Sequence, residues 1–333
     1  MTPTRLRLLV NEHQITAVFF AILAGLAFPD IFRPLSQAST PILFTIFFVA
    51  SLRIDPKELF GYAKDIRLVA LGNTLKLIAL PVAMWVPAAL FAPDWALAFL
   101  IAGAMPAGLT VALIADLFGG RVPLAMLVSV TTSLLSPFTV PLIFQWTIGA
   151  SVPIPMGRIF ASLLVTIVAP FLLAMLVRRG REAAIGAKET LWRGLSVILF
   201  VILMAGIVAS ARTGQSLTLH WIDLGLVITT TILLGGMAWL AYAASAWRTP
   251  AERITLGLCM VYLNNSLALY VANTFFRDTG AVRPLLVILA TINAYVPLVK
   301  WLAKRALAAP VISDIPGITP LPHNPFPSPK TMA

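Results

Sequence analysis

Lys76 is the deepest charge in the chain. It lies nine residues beyond Arg67 in an otherwise apolar run, and a helical rise of 1.5 Å per residue carries it about 13 Å into a bilayer. None of the thirteen acidic residues lies deep in such a run, Asp116 coming nearest. An unpaired ammonium at that depth costs about 2.5–3.5 kcal/mol, so something must offset it. Three offsets are open: an anion's carboxylate beside the ammonium, loss of the proton so that the lysine carries protons, or a stem that snorkels to the interface. A second polar group stands in Tyr262-Leu-Asn-Asn-Ser266. Two adjacent amides, Asn264 and Asn265, are costly in hydrocarbon unless they meet partners, a cavity or a ligand. Asn293, Tyr262, Tyr270 and Tyr295 are further candidates to line a cavity, although a membrane Tyr often marks an interface and an Asn often bonds a neighbouring helix. His13, His220 and His323 sit near span ends or in the tail, away from any metal or proton relay position.

These groups need a membrane around them, and the composition supplies it. The 333 residues are 59% hydrophobic and 11% charged, against about 25% charged for a soluble domain. The apolar runs, cut at charge, Pro and Gly, give ten segments: Ile15–Phe32, Thr40–Leu52, Leu68–Phe91, Trp95–Phe118, Val122–Ile148, Ile159–Val177, Leu195–Ala211, Ile222–Trp247, Ile254–Phe276 and Pro284–Ala303. The first reads as a mature span and not a cleavable signal. The charged stretch Arg53 to Arg67, with Pro56, Lys57, Glu58 and Lys64, reads as an interfacial helix.

The net charge of +11 reports topology before it reports nucleic acid. Alternate loops place Arg5, Arg7, Arg53, Lys57, Lys64, Arg67, Arg121, Arg178, Arg179, Arg181, Lys188, Arg193, Arg248, Arg253, Lys304 and Arg305 on one side. Arg33, Arg158, Arg212, Arg277 and Arg283 fall on the other. That bias predicts an even number of spans with both termini cytoplasmic. A Pro-rich tail over residues 310–333 is expected to be disordered. The single cysteine, Cys259, excludes an internal disulfide and a thiolate cluster.

Thr110-Val-Ala-Leu-Ile-Ala, followed by Gly119, Gly120 and Pro123-Leu, resembles Ser266-Leu-Ala-Leu-Tyr-Val, followed by Gly280 and Pro284-Leu. The copies lie in segments four and nine, and an offset of five spans inverts the second, as in inverted-topology transporters. The expected organisation is one transmembrane domain over residues 1–309, with repeat one at about 12–148 and repeat two at about 158–305. Both copies also look breakable, at Met105-Pro-Ala-Gly108 and at Tyr262 to Ser266.

With these residues the chain resembles the bile acid:sodium symporter family. Arg121-Val-Pro-Leu to Thr131-Thr-Ser-Leu-Leu-Ser-Pro137 is similar to the family's segment after the fourth-helix break. Asn264-Asn-Ser-Leu-Ala268 is similar to its ninth-helix Gln-Asn-Ser-Gly-Leu-Ala, and Leu75-Lys-Leu-Ile-Ala-Leu-Pro81 to its third-helix stretch. The resemblance implies an all-α fold of ten transmembrane helices, built as two inverted five-helix repeats with broken, crossing helices four and nine. With the depth of Lys76 and the other polar groups, the expected substrate site is Lys76, Thr110, Asn264, Asn265, Ser266 and Asn293. A coupling-ion or proton site would use Lys76, Thr131, Thr132, Ser133 and Asn265.

The sodium residues of that family are largely replaced. Its ninth-helix Glu falls at Met260, its fourth-helix Ser-Asn pair at Val111-Ala112, and its third-helix Gln at Lys76. Met, Val and Ala offer no side-chain oxygen, and an ammonium repels the ion. The expectation is therefore a secondary transporter of a small organic anion, a carboxylate or sterol-like acid, in the inner membrane. Sodium coupling of the family kind is not expected, the alternative being a sodium symporter with a relocated ion site, and a proton remains an open coupling ion. No cofactor, metal or nucleic acid is implied. An intramembrane enzyme would need a metal or acid–base constellation, and a channel a filter motif, and the chain shows neither. Arsenite transport would favour a cysteine in the fourth-helix break, whereas Cys259 lies on segment nine.

Overall fold

The computed structural model describes residues 20–55, 61–108, 110–149, 154–211 and 221–308. The start of the first apolar segment, Pro56, Lys57 and Glu58 of the interfacial stretch, and the Pro-rich tail lie outside the described residues. What is described is all-α. The helices are α1 (residues 20–27), α2 (Pro29–Phe32), α3 (Ser39–Leu52), α4 (Ile66–Phe91), α5 (Pro93–Ala104), α6 (Val111–Leu117) and α7 (Val122–Ile148). They continue as α8 (Met156–Arg178), α9 (Glu182–Gly186), α10 (Glu189–Ala211), α11 (Trp221–Ala244), α12 (Pro250–Val261), α13 (Asn265–Phe275) and α14 (Val282–Ala308).

Six stretches among the described residues are long and apolar enough to cross a membrane: Pro29–Leu52, α4, α7, α8, Glu189–Ser210 and Leu224–Ala244. With their exposed apolar side chains, among them Trp239, Ile232, Leu172 and Phe91, they make this a polytopic membrane protein whose outer surface suits lipid. The first apolar helix ends earlier than the sequence predicts. It stops at residue 27, and Pro29 and Pro34 open a short helix and a 3-10 turn (Arg33–Ala38) leading into α3, because neither proline has an N–H for a continuing helix.

Packing places α7 at the centre: 61% of its apolar window is buried, against 28–39% in the other five stretches. It touches α4, α6, α8 and α12, while α3 packs on α8 and α10, α4 on α5, and α11 on α12. This describes the unit ending at Ala294.

Prolines shape the long helices. Just before Pro81 and Pro170 the backbone widens into π turns, Leu75–Ala79 and Leu164–Val168, with the Leu80 and Ala169 N–H groups reaching back to Leu75 and Leu164. Widening relieves the clash of each proline ring with the carbonyl four residues earlier. In α7, Pro137 cannot bond the Ser133 carbonyl, and the Ser136 hydroxyl donates to it instead at 2.7 Å.

Candidate functional site

The site grows from two helix interruptions. α5 ends at Ala104 and α6 begins at Val111; α12 ends at Val261 and α13 begins at Asn265. Both gaps lie where Pro106 and the adjacent amides predict them. The two extended segments cross and pair as an isolated antiparallel bridge between Ala107 and Leu263. The Gly108 N–H donates to the Tyr262 carbonyl oxygen at 3.0 Å, and the Asn264 N–H to that of Pro106 at 2.9 Å. Backbone polar groups that hydrocarbon would leave unsatisfied thus satisfy one another. Gly108 permits the approach, since a Cβ there would lie 2.7 Å from the Leu263 carbonyl oxygen.

α7 holds the crossing in place. Ser129 Oγ donates to the Ala107 carbonyl oxygen at 2.8 Å, and the Ala107 N–H donates to Thr132 Oγ1 at 3.2 Å. Thr132 in turn donates to the Val128 carbonyl oxygen at 2.6 Å. The predicted ion residue Thr132 therefore supports the Pro106–Ala107 peptide of the break, and Ser129, which the sequence does not single out, holds the next peptide through the Ala107 carbonyl.

Lys76 projects from the π turn of α4 and is 0% exposed. Its Nζ donates to the Met260 carbonyl oxygen at 3.4 Å, a long bond. Burial inside protein sets the snorkelling option aside. Met260 is in the last turn of α12, so the ammonium meets the carbonyl-rich, negative end of a half-helix. Among the described residues Lys76 enters none of the ion pairs, all of which use arginines. Fully buried Cys259 precedes Met260 in the same turn.

The remaining candidates divide into engaged and unengaged groups. Asn264 caps α13, its Oδ1 accepting from the Leu267 N–H at 3.1 Å. Asn293 donates to the Leu289 carbonyl oxygen of its own helix at 2.6 Å. Thr131 donates to the Leu127 carbonyl oxygen at 2.9 Å and accepts from Asn73 Nδ2 at 3.1 Å. Thr110 stands at the start of α6, beside the break, and Ser266 is buried in the first turn of α13. Among the described residues three buried side-chain oxygens have no hydrogen-bond partner: Asn265 Oδ1, Ser133 Oγ and Asn73 Oδ1. Asn73 escapes a search for lone charges, yet it lies one helical turn before Lys76, on the same face. Ser133 opens on a crevice lined also by Phe47, Ser51, Ile54, Val130 and Phe171. Its free volume, about 10 Å³, suits one water.

A charged cluster surrounds the start of α12. Arg248 bridges Asp65, the cap of α4, at 2.6 Å and Glu252 at 2.7 Å. Glu252 also closes a capping box with Thr249, accepting from the Thr249 N–H at 3.0 Å and hydroxyl at 2.8 Å. Burial pushes the Glu252 carboxyl up, but the hydrogen bonds from Arg248 and Thr249 and the guanidinium charge outweigh it and hold the group down to about 2.

Two comparisons bear on this geometry. Residues 40–220, more than half of the chain, match the family described as Sodium Bile acid symporter family. The chain is also 22% identical over 243 residues to sodium/bile acid cotransporter 7 of Danio rerio, covering 70% of this chain and 72% of that one.

Proposed function

This chain belongs to the sodium bile acid symporter family, and from that membership we propose that it moves a small organic anion across the membrane by alternating access, with Lys76 as the cationic partner of the substrate's carboxylate. The observation that carries this reading is the state of Lys76: fully buried, held by one long bond to a carbonyl, and outside every ion pair among the described residues. An ammonium has three donors. A carboxylate arriving beside the crossed breaks supplies the missing charge and acceptors, and Asn265 and Thr110 flank that position.

In this reading the ammonium is a tethered substitute for a sodium ion, and transport does not require sodium. The chain makes ten crossings as two inverted repeats in one domain, and the antiparallel pairing of the two breaks supports that symmetry. Both termini lie on the cytoplasmic side of the inner membrane, as the arginine and lysine distribution argues. The substrate is a small carboxylic acid or a sterol-like acid.

A second reading has its own support. The unpartnered oxygens of Asn73, Ser133 and Asn265 are the ligand type that sodium takes, and a relocated sodium site would use them. Purified protein in liposomes separates the two. Uptake of a panel of organic acids is followed with sodium, with potassium and across a pH step. The Lys76 reading expects sodium to be inert while the acid alone, or a pH step, drives uptake. Strict sodium dependence favours the relocated site, and no uptake of any acid under any gradient removes both.

A further inference from the structure

The ion pairs on the arginine-rich face join helices into two sets. Arg178 donates to the Leu52 carbonyl oxygen at 2.7 Å and pairs with Asp55 at 3.4 Å, while Arg53 and Arg193 share Glu189, so α3, α8 and α10 are tied together. Arg248 ties the start of α4 to α12. On the opposite face hydrogen bonds reach the first set from α13, which follows α12 across the second break, and from the turn after α13.

Tyr270, on α13, is 2% exposed. Its hydroxyl lies 3.1 Å from Thr40 Oγ1 at the start of α3 and 2.5 Å from Ser162 Oγ on α8. Just past α13, the Arg277 guanidinium donates to Ser210 Oγ of α10. Ser36, in the 3-10 turn before α3, donates to the same Ser210 oxygen at 3.3 Å. Helix α13 and the turn that follows it thus touch α3, α8 and α10 through polar side chains.

Two features make these contacts reversible. A phenol carries one proton, so Tyr270 donates to one hydroxyl and accepts from the other, and Ser and Thr hydroxyls on helices can turn back to a carbonyl of their own chain when the partner leaves. The contacts are also mechanically linked to the site. α13 starts at Asn265, directly after the segment paired with Pro106 and Gly108, so a shift of the crossed breaks moves Tyr270 with them as part of one rigid helix.

Resting on the alternating-access reading above, we propose that Tyr270, backed by Arg277, is a latch that holds the face opposite the arginine-rich one shut. Its bonds to Thr40 and Ser162, and that of Arg277 to Ser210, break each time this face opens. The crossed breaks that receive the substrate are what release it.

The test is thiol labelling. Cys259→Ala removes the native thiol, and Leu43→Cys places a reporter one turn past Thr40 on α3, at a position 0% exposed in this closed arrangement. A membrane-impermeant maleimide is applied from each side of oriented membranes. With Tyr270 intact the reporter labels slowly from both sides. Tyr270→Phe keeps the ring and removes both bonds, and it raises the rate from the arginine-poor side about tenfold; Arg277→Gln raises it less. If Tyr270→Phe does not fold, the pair Thr40→Val with Ser162→Ala removes the same bonds from the other side and must give the same increase. Unchanged rates, or acceleration only from the arginine-rich side, overturn the latch. Labelling needs no substrate, so absence of acid transport would sink the transporter reading on separate evidence.

Discussion

The Nζ atom of Lys76 lies 3.4 Å from the carbonyl oxygen of Met260, at the end of the half-helix that stops short of the second break. That single long contact joins α4 to α12 at the point where the chain is least regular. A buried ammonium is favoured by a helix C-terminus, but one carbonyl does not replace the water it has lost. The residue is therefore kept at a cost to stability.

Replacing that lysine separates the cost from the role. Lys76→Met fills a similar length without charge, and it is expected to raise unfolding free energy by about 1–3 kcal/mol while lowering acid uptake at least tenfold. Thermal unfolding in detergent and uptake in liposomes read the two effects independently. A fall in stability would mean that the ammonium is better satisfied than its bond to Met260 indicates, and undiminished uptake would remove it from the substrate site.

The crossing of the breaks depends on having no side chain at one position. Gly108→Ala puts a Cβ 2.7 Å from the Leu263 carbonyl oxygen, so the paired segments must separate, and loss of transport is expected. Gly235→Ala, on α11 with nothing within 4 Å, should leave both stability and transport within a factor of two. Equal behaviour of the two variants would show that the close approach does not matter.

Support from α7 should be measurable as well. Ser129→Ala and Thr132→Val each remove one hydrogen bond to the Ala107 peptide, and each should destabilise by about 1–2 kcal/mol because a buried backbone group loses its partner. Thr132→Ser keeps the oxygen and should recover most of the loss. Because Val keeps the methyl, a Thr132→Val variant as stable as the parent would show that the hydroxyl does not hold the Ala107 N–H.

Acid should loosen the cluster at the start of α12. The Glu252 carboxyl is depressed from 4.5 to about 2, so its contribution to stability is complete above about pH 4.5 and is lost as pH falls through about 2. A depression of that size corresponds to roughly 3–4 kcal/mol. Glu252→Gln should flatten the melting temperature across this window, and Arg248→Met should cost more at neutral pH, because it leaves both Asp65 and Glu252 without their cation. Parallel pH curves for the parent and Glu252→Gln would show that another group titrates there.

How much of this was legible in advance differs from residue to residue. The sequence predicts segment five over Val122–Ile148, the bounds α7 has in the structure, because Gly119, Gly120 and Arg121 punctuate one end and Gly149 the other. Both breaks were visible because Pro106 removes a donor and adjacent amides are rare within an apolar run. Apolar composition extends the first segment past Pro29 to Phe32, but the missing N–H of Pro29 ends the helix at residue 27.

Sequence alone determined that the chain lives in a bilayer, where its helices are interrupted, and that Lys76 lies deep in an apolar run without a nearby carboxylate, since charge density, Pro position and depth are all local quantities. Only the tertiary structure decided what those groups meet. The acceptor for Lys76 is a backbone carbonyl 184 residues away, and any residue type carries such an oxygen. Ser129 and Thr132 look like ordinary helical hydroxyls until the Ala107 peptide arrives beside them. The partners of Tyr270 lie 230 and 108 residues away in the chain. These pairings follow from how two broken helices cross, a long-range arrangement that no local pattern of residues encodes.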